Sequence, residues 1–308
     1  MGKLQQLFEE YISGCRYSAR LSKETIRGYE AVFNLFLKVM PEVTELEDLT
    51  PEMLNEFFKR IQTRIRIIGR DTPKVGVKNS TIKTQWTKLN VFFDWLYKKN
   101  HIGKNPLGDI KSPRVSYDDY RRLEDSDLRK IYTAITLHSA NSFMQRRDTM
   151  TLSILLFCGL RRGELIGLQV KDIDIIKREI KVRGETSKSN KTRIIKMHPT
   201  LLLHVTDYLK ERNIRGLRTE CLIASGRGDS GLSSDGLMHW VKRLKKLSGV
   251  DFHLHCLRHT FACKLAEADI NLFKIQKMMG HTDIRMTAKY TRSMKPEDMG
   301  DDIAKISI

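Results

Sequence analysis

Residues 255–290 read HCLRHTFACKLAEADINLFKIQKMMGHTDIRMTAKY. His255 and Arg258 stand three apart, which on a helix puts them on one face. The spacing predicts helix from Arg258 to Met279 with a break near Asp269. Gly280 ends it, as glycine commonly does just past a helix C-terminus. His281 then falls in a turn, with Thr282 or Asp283 available to cap a helix that carries Tyr290. A lone histidine on a helix is ordinarily a packed, hydrogen-bonded residue, and a lone tyrosine at a helix end is ordinarily half-buried. The ordered set is harder to obtain by chance, so its weight depends on what stands upstream.

At 308 residues, one or two domains are expected, and 40% hydrophobic residues suffice for real cores. Lys and Arg number 55 against 37 acidic residues, a formal charge of +18. That excess favours a polyanionic partner; a merely basic soluble protein is the plainer alternative. Residues 1–113 carry 19 basic and 13 acidic groups, and the remainder 36 and 24, so both halves can meet phosphates. Cys15, Cys158, Cys221, Cys256 and Cys263 form no C-x-x-C pair and no metal-ligand spacing, which predicts free thiols in a reducing, cytoplasmic compartment. Lys3, Glu9 and Glu10 leave no apolar signal core, and no apolar run reaches the roughly 18 residues of a membrane span, so no membrane partner is expected.

Four helices are predicted in the first hundred residues: Leu4–Ser13, Ser22–Met40 (stopped by Pro41), one opening at Thr50-Pro51, and one from near Ser80. Between the last two lies RIQTRIRIIGRDTPKVGVKNS, residues 60–80. Its Arg64, Arg66 and Arg70 are either a solvated basic loop or a phosphate-contacting edge that adds affinity without sequence readout. Lys83 and Lys88 on the fourth helix are further candidate DNA contacts. Asn105-Pro106, Gly108 and Pro113 break the helical pattern. The resulting division is 1–106, a linker at 107–122, and 123–308.

The second lobe opens with a helix near Ser126, then an apolar one around Arg147–Phe157 that leads into Gly159-Leu160-Arg161-Arg162-Gly163-Glu164-Leu165. Strands are predicted at Ile175–Arg183, Thr192–His198 and Cys221–Ser225, with GETSKSNKTR (184–193) as the tip between the first two. Helices follow at Thr200–Arg212 and Ser233–Leu247, the latter with a basic face of Lys242, Arg243, Lys245 and Lys246.

The His-x-x-Arg, Gly-His and Tyr series, with the Gly-Leu-Arg-x-x-Glu-Leu box before it, resembles the tyrosine recombinase (phage integrase) family. The resemblance covers nearly the whole chain and is specific in the second lobe. It implies a mainly α fold with a small β-sheet (α+β) in a catalytic domain at 123–308, behind a helical core-binding domain at 1–106, in the simple two-domain, Xer-like arrangement. By position in the motifs it assigns Arg161, His255, Arg258, His281 and Tyr290 as catalytic. Glu164 would orient Arg161. The family's hairpin lysine aligns with Lys188, although the tip here is longer than the usual pattern and Lys191 is the alternative. His259, adjacent to Arg258, is read as structural.

The resemblance also implies the chemistry and the partners, and these residue types suit them. Two arginines can clamp a phosphodiester with fixed donors as charge builds on its oxygens. Tyr290 would attack and form a 3′-phosphotyrosine, releasing a 5′ hydroxyl. Its phenol, with a reference pKa near 10, needs a base and a cationic site. His255 is the candidate base, Lys188 the candidate acid, and His281 a phosphate hydrogen-bonding group. No cofactor and no metal are implied. The expected partners are double-stranded DNA recombination sites, a tetramer of this chain or of this chain with a related recombinase, and an accessory protein where one is used. The tail after Tyr290, with Ile303, Ile306 and Ile308, is either a docking plug or a frayed end. Competing readings are type IB topoisomerase-like relaxation and a non-catalytic DNA-binding protein of the same fold.

Overall fold

A computed structural model describes residues 2–69, 71–115, 122–187, 191–226, 228–288 and 290. The chain forms two compact units that divide at residue 118. Both are mainly helical, with small antiparallel sheets.

The first unit holds α1 (Lys3–Ser13), which runs into a π-helical turn at Gly14–Ser18, then α2 (Lys23–Val39), α3 (Pro51–Thr63) and α4 (Asn79–Lys98). Ser22 Oγ caps α2 by accepting from Thr25 N at 3.2 Å, and Thr50 Oγ1 caps α3 from Met53 N at 3.2 Å. These caps satisfy backbone donors that the first turn of a helix leaves open. The apolar faces meet in an aromatic core of Phe8, Phe33, Phe36, Phe57, Phe92 and Phe93. Phe8 stacks on Phe33 with ring centroids 3.7 Å apart. Leu107 is fully buried in this core, and Trp86 Nε1 donates to Ile110 O at 3.0 Å, so packing of the first unit runs into the stretch read as linker.

The segment read as either a solvated basic loop or a phosphate-contacting edge folds as a β-hairpin. β1 (Ile65–Ile68) pairs antiparallel with β2 (Thr72–Val75) in the register Ile65↔Val75, Arg66↔Lys74, Ile67↔Pro73. The alternation of arginine with isoleucine is a strand period, which the density of charge obscured.

The second unit contains α5 (Asp125–His138), α6 (Ser142–Cys158), α7 (Arg162–Ile166), β3 (Ile173–Asp174), β4 (Glu179–Val182), β5 (Arg193–Lys196), α8 (Pro199–Ile214), α9 (Ser234–Ser248), α10 (Leu254–Glu267), α11 (Leu272–Met279) and α12 (Arg285–Ala288). The sheet order is β3-β4-β5, antiparallel throughout. α6 is buried around most of its circumference, including Met150, Leu152, Ile154, Leu155 and Cys158 and the polar Arg147, Asp148, Thr151 and Ser153. It forms the centre against α5, α8 and α10.

Three local expectations are corrected. The strand placed at Ile175–Arg183 is shorter, β4 alone at Glu179–Val182, and the residues before it form the turn from β3, with Arg178 at φ 54 and Asp174 Oδ1 accepting from Lys177 N at 2.8 Å. Cys221–Ser225 makes isolated bridges, Gln169↔Cys221 and Ala224↔Gly231, and no strand. The helix expected over Arg258–Met279 starts earlier, at Leu254, while its break falls where expected, between Glu267 and Leu272 with Asp269 at φ 53. All five cysteines are free. No helix among the described residues is long and apolar enough to cross a membrane.

Candidate active site

The site begins at the end of α6. Gly159 adopts φ 56, and a Cβ there would lie 2.4 Å from the Phe261 ring, so both conformation and space call for glycine. This turn sets Arg161 at the N-cap of α7. Glu164, buried, folds back to it: Oε2 accepts from Arg161 N at 2.9 Å and Oε1 from Arg161 Nη1 at 3.0 Å.

Glu164 also holds a second arginine. Arg193, on β5, donates from Nη1 and Nη2 to the two carboxylate oxygens at 3.0 and 2.8 Å, and from Nε to Met278 O at 2.9 Å. Burial alone would raise the Glu164 carboxyl; the Arg193 hydrogen bonds, the Arg161 amide and the two guanidinium charges outweigh it and hold the pKa at about 2. Arg193 was not among the residues singled out from sequence. The signal was present in the Lys-x-Arg ending of the hairpin tip, and its meaning appears only when β5 is laid beside α7 and α11.

α10 supplies His255 and Arg258. Its N-cap is His253, whose Nδ1 accepts from Cys256 N at 3.3 Å. Arg258 is 2% exposed. Its Nη1 donates to Gly159 O, and its Nη2 to Met279 O at 2.7 Å and to His281 Nε2 at 2.9 Å. Burial, then the nearby Arg161 charge, lowers its pKa to about 10, which leaves it a cation at neutral pH. His255 lies exposed one turn before it. Partial desolvation, followed by the charge of Arg258, holds His255 below the usual histidine range.

α11 ends at Gly280, with φ 63, and Gly280 O accepts from Arg161 Nη2 at 2.9 Å. Two consecutive carbonyls, those of Met279 and Gly280, therefore hold the two arginines at the negative end of α11. His281 is buried on this turn. Arginine can only donate, so Nε2 accepts from Arg258, and Nδ1–H donates to Thr287 Oγ1 at 2.9 Å. Burial and the charges of Arg258 and Arg161 push the His281 pKa down to about 3 and keep the ring neutral. Both nitrogens are engaged, so the expected phosphate hydrogen bond from His281 is not available in this arrangement. Thr287, fully buried on α12, was not read from sequence.

Tyr290 follows α12 and is 9% exposed, in a small core with Phe261, Cys263, Ile275 and Met279. Its ring lies 6.2 Å from that of His281, nearly parallel at 16°, and 5.1 Å from that of His259. His259 thus borders the tyrosine, although its position beside Arg258 suggested a face turned away. A cleft of about 710 Å³ opens over Arg161, Arg162, His253, His255 and Arg258. Its convergent guanidinium groups can bind a phosphate and stabilise added charge on it.

Lys188 lies outside the described residues, and Lys191 is exposed just before β5. Of the candidate DNA contacts, Arg66 turns back on its own hairpin, donating from Nε and Nη2 to Gly76 O at 2.9 and 2.6 Å. Arg64, Lys83 and Lys88 are partly buried, and Arg70 lies outside the described residues. The Lys88 ammonium occupies the space beside Gly28, where a Cβ would sit 2.2 Å from it. Lys242 is exposed on α9, but its face is less free than the sequence suggested: Arg243 pairs with buried Asp148 and Lys245 with Asp251. Among the described residues no group of three or more His, Cys, Asp or Glu is placed to hold a metal ion.

Residues 121–297 match the phage integrase family. The chain is 24% identical over 298 residues to tyrosine recombinase XerC of Serratia marcescens, covering 94% of this chain and 90% of the relative. It is 28% identical over 268 residues to tyrosine recombinase XerA of Saccharolobus solfataricus, covering 87% and 81%. Among solved structures, the XerH site-specific recombinase bound to palindromic difH superposes with a TM-score of 0.73 at 21% identity, covering 98% of this chain and 84% of that one. The Tn1549 transposon integrase with a circular intermediate DNA gives 0.76 at 20% identity, covering 99% and 100%. Those structural likenesses bear on the fold. The chain belongs to the phage integrase family.

Proposed function

We propose that this tyrosine recombinase cuts and rejoins duplex DNA at specific sites with the cluster built around Arg161, His255, Arg258, His281 and Tyr290. The observation that carries the reading is the anchoring of Arg161 and Arg258 on consecutive carbonyls of one turn, with His281 on Arg258 and Tyr290 beside His281.

In the proposed step Tyr290 Oη attacks the scissile phosphorus. A P–O bond to tyrosine forms as the bond to the 5′ oxygen breaks. The phenolic proton passes to His255, whose depressed pKa keeps it neutral and able to accept. The leaving 5′ oxygen takes a proton from Lys188, with Lys191 as the alternative. Arg161 and Arg258 stabilise the charge on the non-bridging oxygens. Glu164 and Arg193 fix Arg161, and His281 with Thr287 fixes Arg258. The phosphotyrosine keeps the bond energy, so attack by a 5′ hydroxyl of a second strand rejoins DNA without ATP.

The proposed partners are duplex recombination sites and further copies of the chain or of a related recombinase; a lambda integrase tetramer bound to a Holliday junction shares the fold, with a TM-score of 0.70. The first unit is proposed to grip the DNA flanking the cleaved bond, with Arg64, Arg70, Lys83 and Lys88 as phosphate contacts and Lys242 as another on the second unit. A cytoplasmic, nucleoid-associated location follows from a DNA substrate. The topoisomerase-like and non-catalytic readings are not favoured beside relatives named as recombinases.

The test is covalent capture. The protein is incubated with sheared DNA from its source, stopped with detergent, and the attached DNA sequenced, with Tyr290→Phe as control. Adducts that vanish in the variant and accumulate at one short, partly palindromic sequence are expected. Adducts without sequence preference, or adducts that persist in Tyr290→Phe, overturn the reading.

A further inference from the structure

Both ring nitrogens of His281 are committed, to Arg258 and to Thr287, and it is the neighbours Gly280 and Thr282 that line the cleft. Another histidine does line it. His253 stands beside Arg161, His255 and Arg258 and is exposed. It precedes α10 with extended backbone, φ −138 and ψ 168, and buried Phe252 anchors the chain just before it. Its Nδ1 accepts from Cys256 N at 3.3 Å. A backbone amide can only donate, so Nδ1 carries no proton and the N–H of the ring lies at Nε2. The two nitrogens face different sides of an imidazole, so the bond that caps the helix turns Nε2–H away from it. Among the described residues the cap is the one hydrogen bond that the His253 side chain makes. Helix N-caps are ordinarily Ser, Thr, Asp or Asn, short side chains that accept and reach no further. A histidine there caps with one nitrogen and keeps a donor on the far side of the ring.

We propose that His253 is a substrate-contacting residue of the cleavage reaction, its Nε2–H donating to a non-bridging oxygen of the phosphodiester held by Arg161 and Arg258. The inference deepens the recombinase reading above and rests on it. The cleft already gathers the guanidinium groups of Arg161 and Arg258. In its capping tautomer His253 adds a hydrogen bond there without adding a third cation to their repulsion. The cap also fixes the ring before DNA arrives, so little side-chain freedom is lost on binding and the donor is aimed as charge develops on the phosphate. His255, two residues on, keeps the separate task of accepting the tyrosine proton.

The test uses the full chain and the duplex recovered by covalent capture. The variant is His253→Ser, because serine keeps the N-cap and removes only the ring, whereas His253→Ala removes both. Expected for His253→Ser are a urea midpoint equal to that of wild type, DNA affinity within about twofold, and adduct formation at saturating DNA slower by roughly tenfold or more, the weight of one hydrogen bond to a charged group. His253→Ala should share the slow cleavage and also unfold at lower urea. Cleavage by His253→Ser at the wild-type rate would overturn the proposal. Slow cleavage accompanied by the lowered midpoint of His253→Ala would overturn it too, since loss of the cap would then account for the defect. A wild type that forms no adduct sinks the recombinase reading, whereas adducts from wild type with an unimpaired His253→Ser sink this inference alone.

Discussion

Replacing Glu164 by glutamine removes the charge to which Arg161 and Arg193 are both anchored while keeping the volume and one acceptor oxygen. The carboxyl falls from an ordinary 4.5 to about 2 on folding. That difference is worth roughly 3 kcal/mol at neutral pH, in line with the ~3–5 kcal/mol lost when one partner of a buried ion pair is deleted. Because the folded pKa is the lower one, the stabilisation is present above pH 4.5 and drains away as pH falls toward about 2. Urea unfolding of wild type and Glu164→Gln, followed by a signal from the second unit, reads both features. At pH 7 the variant is expected to be about 3 kcal/mol less stable, and the gap narrows to roughly 1 kcal/mol near pH 3. A variant within about 1 kcal/mol of wild type at pH 7, or a gap constant across this range, would show that the two arginines are held chiefly by the carbonyls of Met278 and Gly280, refuting the central place given to Glu164.

Arg258→Lys replaces a planar donor set that reaches Gly159 O, Met279 O and His281 Nε2 with a single ammonium; covalent capture should fall about 100-fold or more, measured as adduct per hour. Thr287→Val removes the acceptor that fixes the His281 tautomer, and should lower the adduct rate about tenfold and stability by ~1–2 kcal/mol in urea unfolding. His281 has a folded pKa of about 3 against an ordinary 6.5, so wild type loses stability as pH falls from 6.5 toward 3, and His281→Gln should lose less over pH 6.5–4 by the same denaturation assay. Gly280→Ala forces φ 63 on a residue whose Cβ would lie 2.9 Å from Arg193 Nη1, and should cost ~1–2 kcal/mol, read as a lower melting temperature.

The legible parts of this chain are those where one residue type has one job. Ser22, Thr50-Pro51 and Gly280 announce helix ends because few residues satisfy those positions, and the helices begin or end where these residues stand. The box at Gly159–Leu165 marked Arg161 and Glu164, and these residues do touch. What sequence could not give is convergence. Arg193 lies 29 residues from Glu164, and His281 lies 23 from Arg258, with no periodicity linking them. The hairpin at 65–75 was hidden because charge density reads as loop when strand alternation is short. On α9, four basic residues read as one basic face, yet Arg243 and Lys245 are committed to Asp148 and Asp251 on other segments.

The arrangement also explains how a phosphate site can be kept ready without its phosphate. Arg161, Arg193 and Arg258 would repel one another, and the lowered pKa of Arg258 records that stress together with its burial. The cluster is offset by one carboxylate, Glu164, and by backbone carbonyls at the end of α11, which bring partial negative charge but no second acid. A second carboxylate would have neutralised the site and competed with the scissile phosphate. One carboxylate leaves a residual positive field that points into the cleft over Arg161 and Arg258, and an incoming phosphodiester relieves it. Burial first, and then repulsion of extra protons by a cluster already rich in cations, keeps His281 neutral and His255 able to accept a proton. Burial together with the cationic excess that would draw in DNA therefore keeps the histidines in the protonation state that the proposed cleavage by Tyr290 would use.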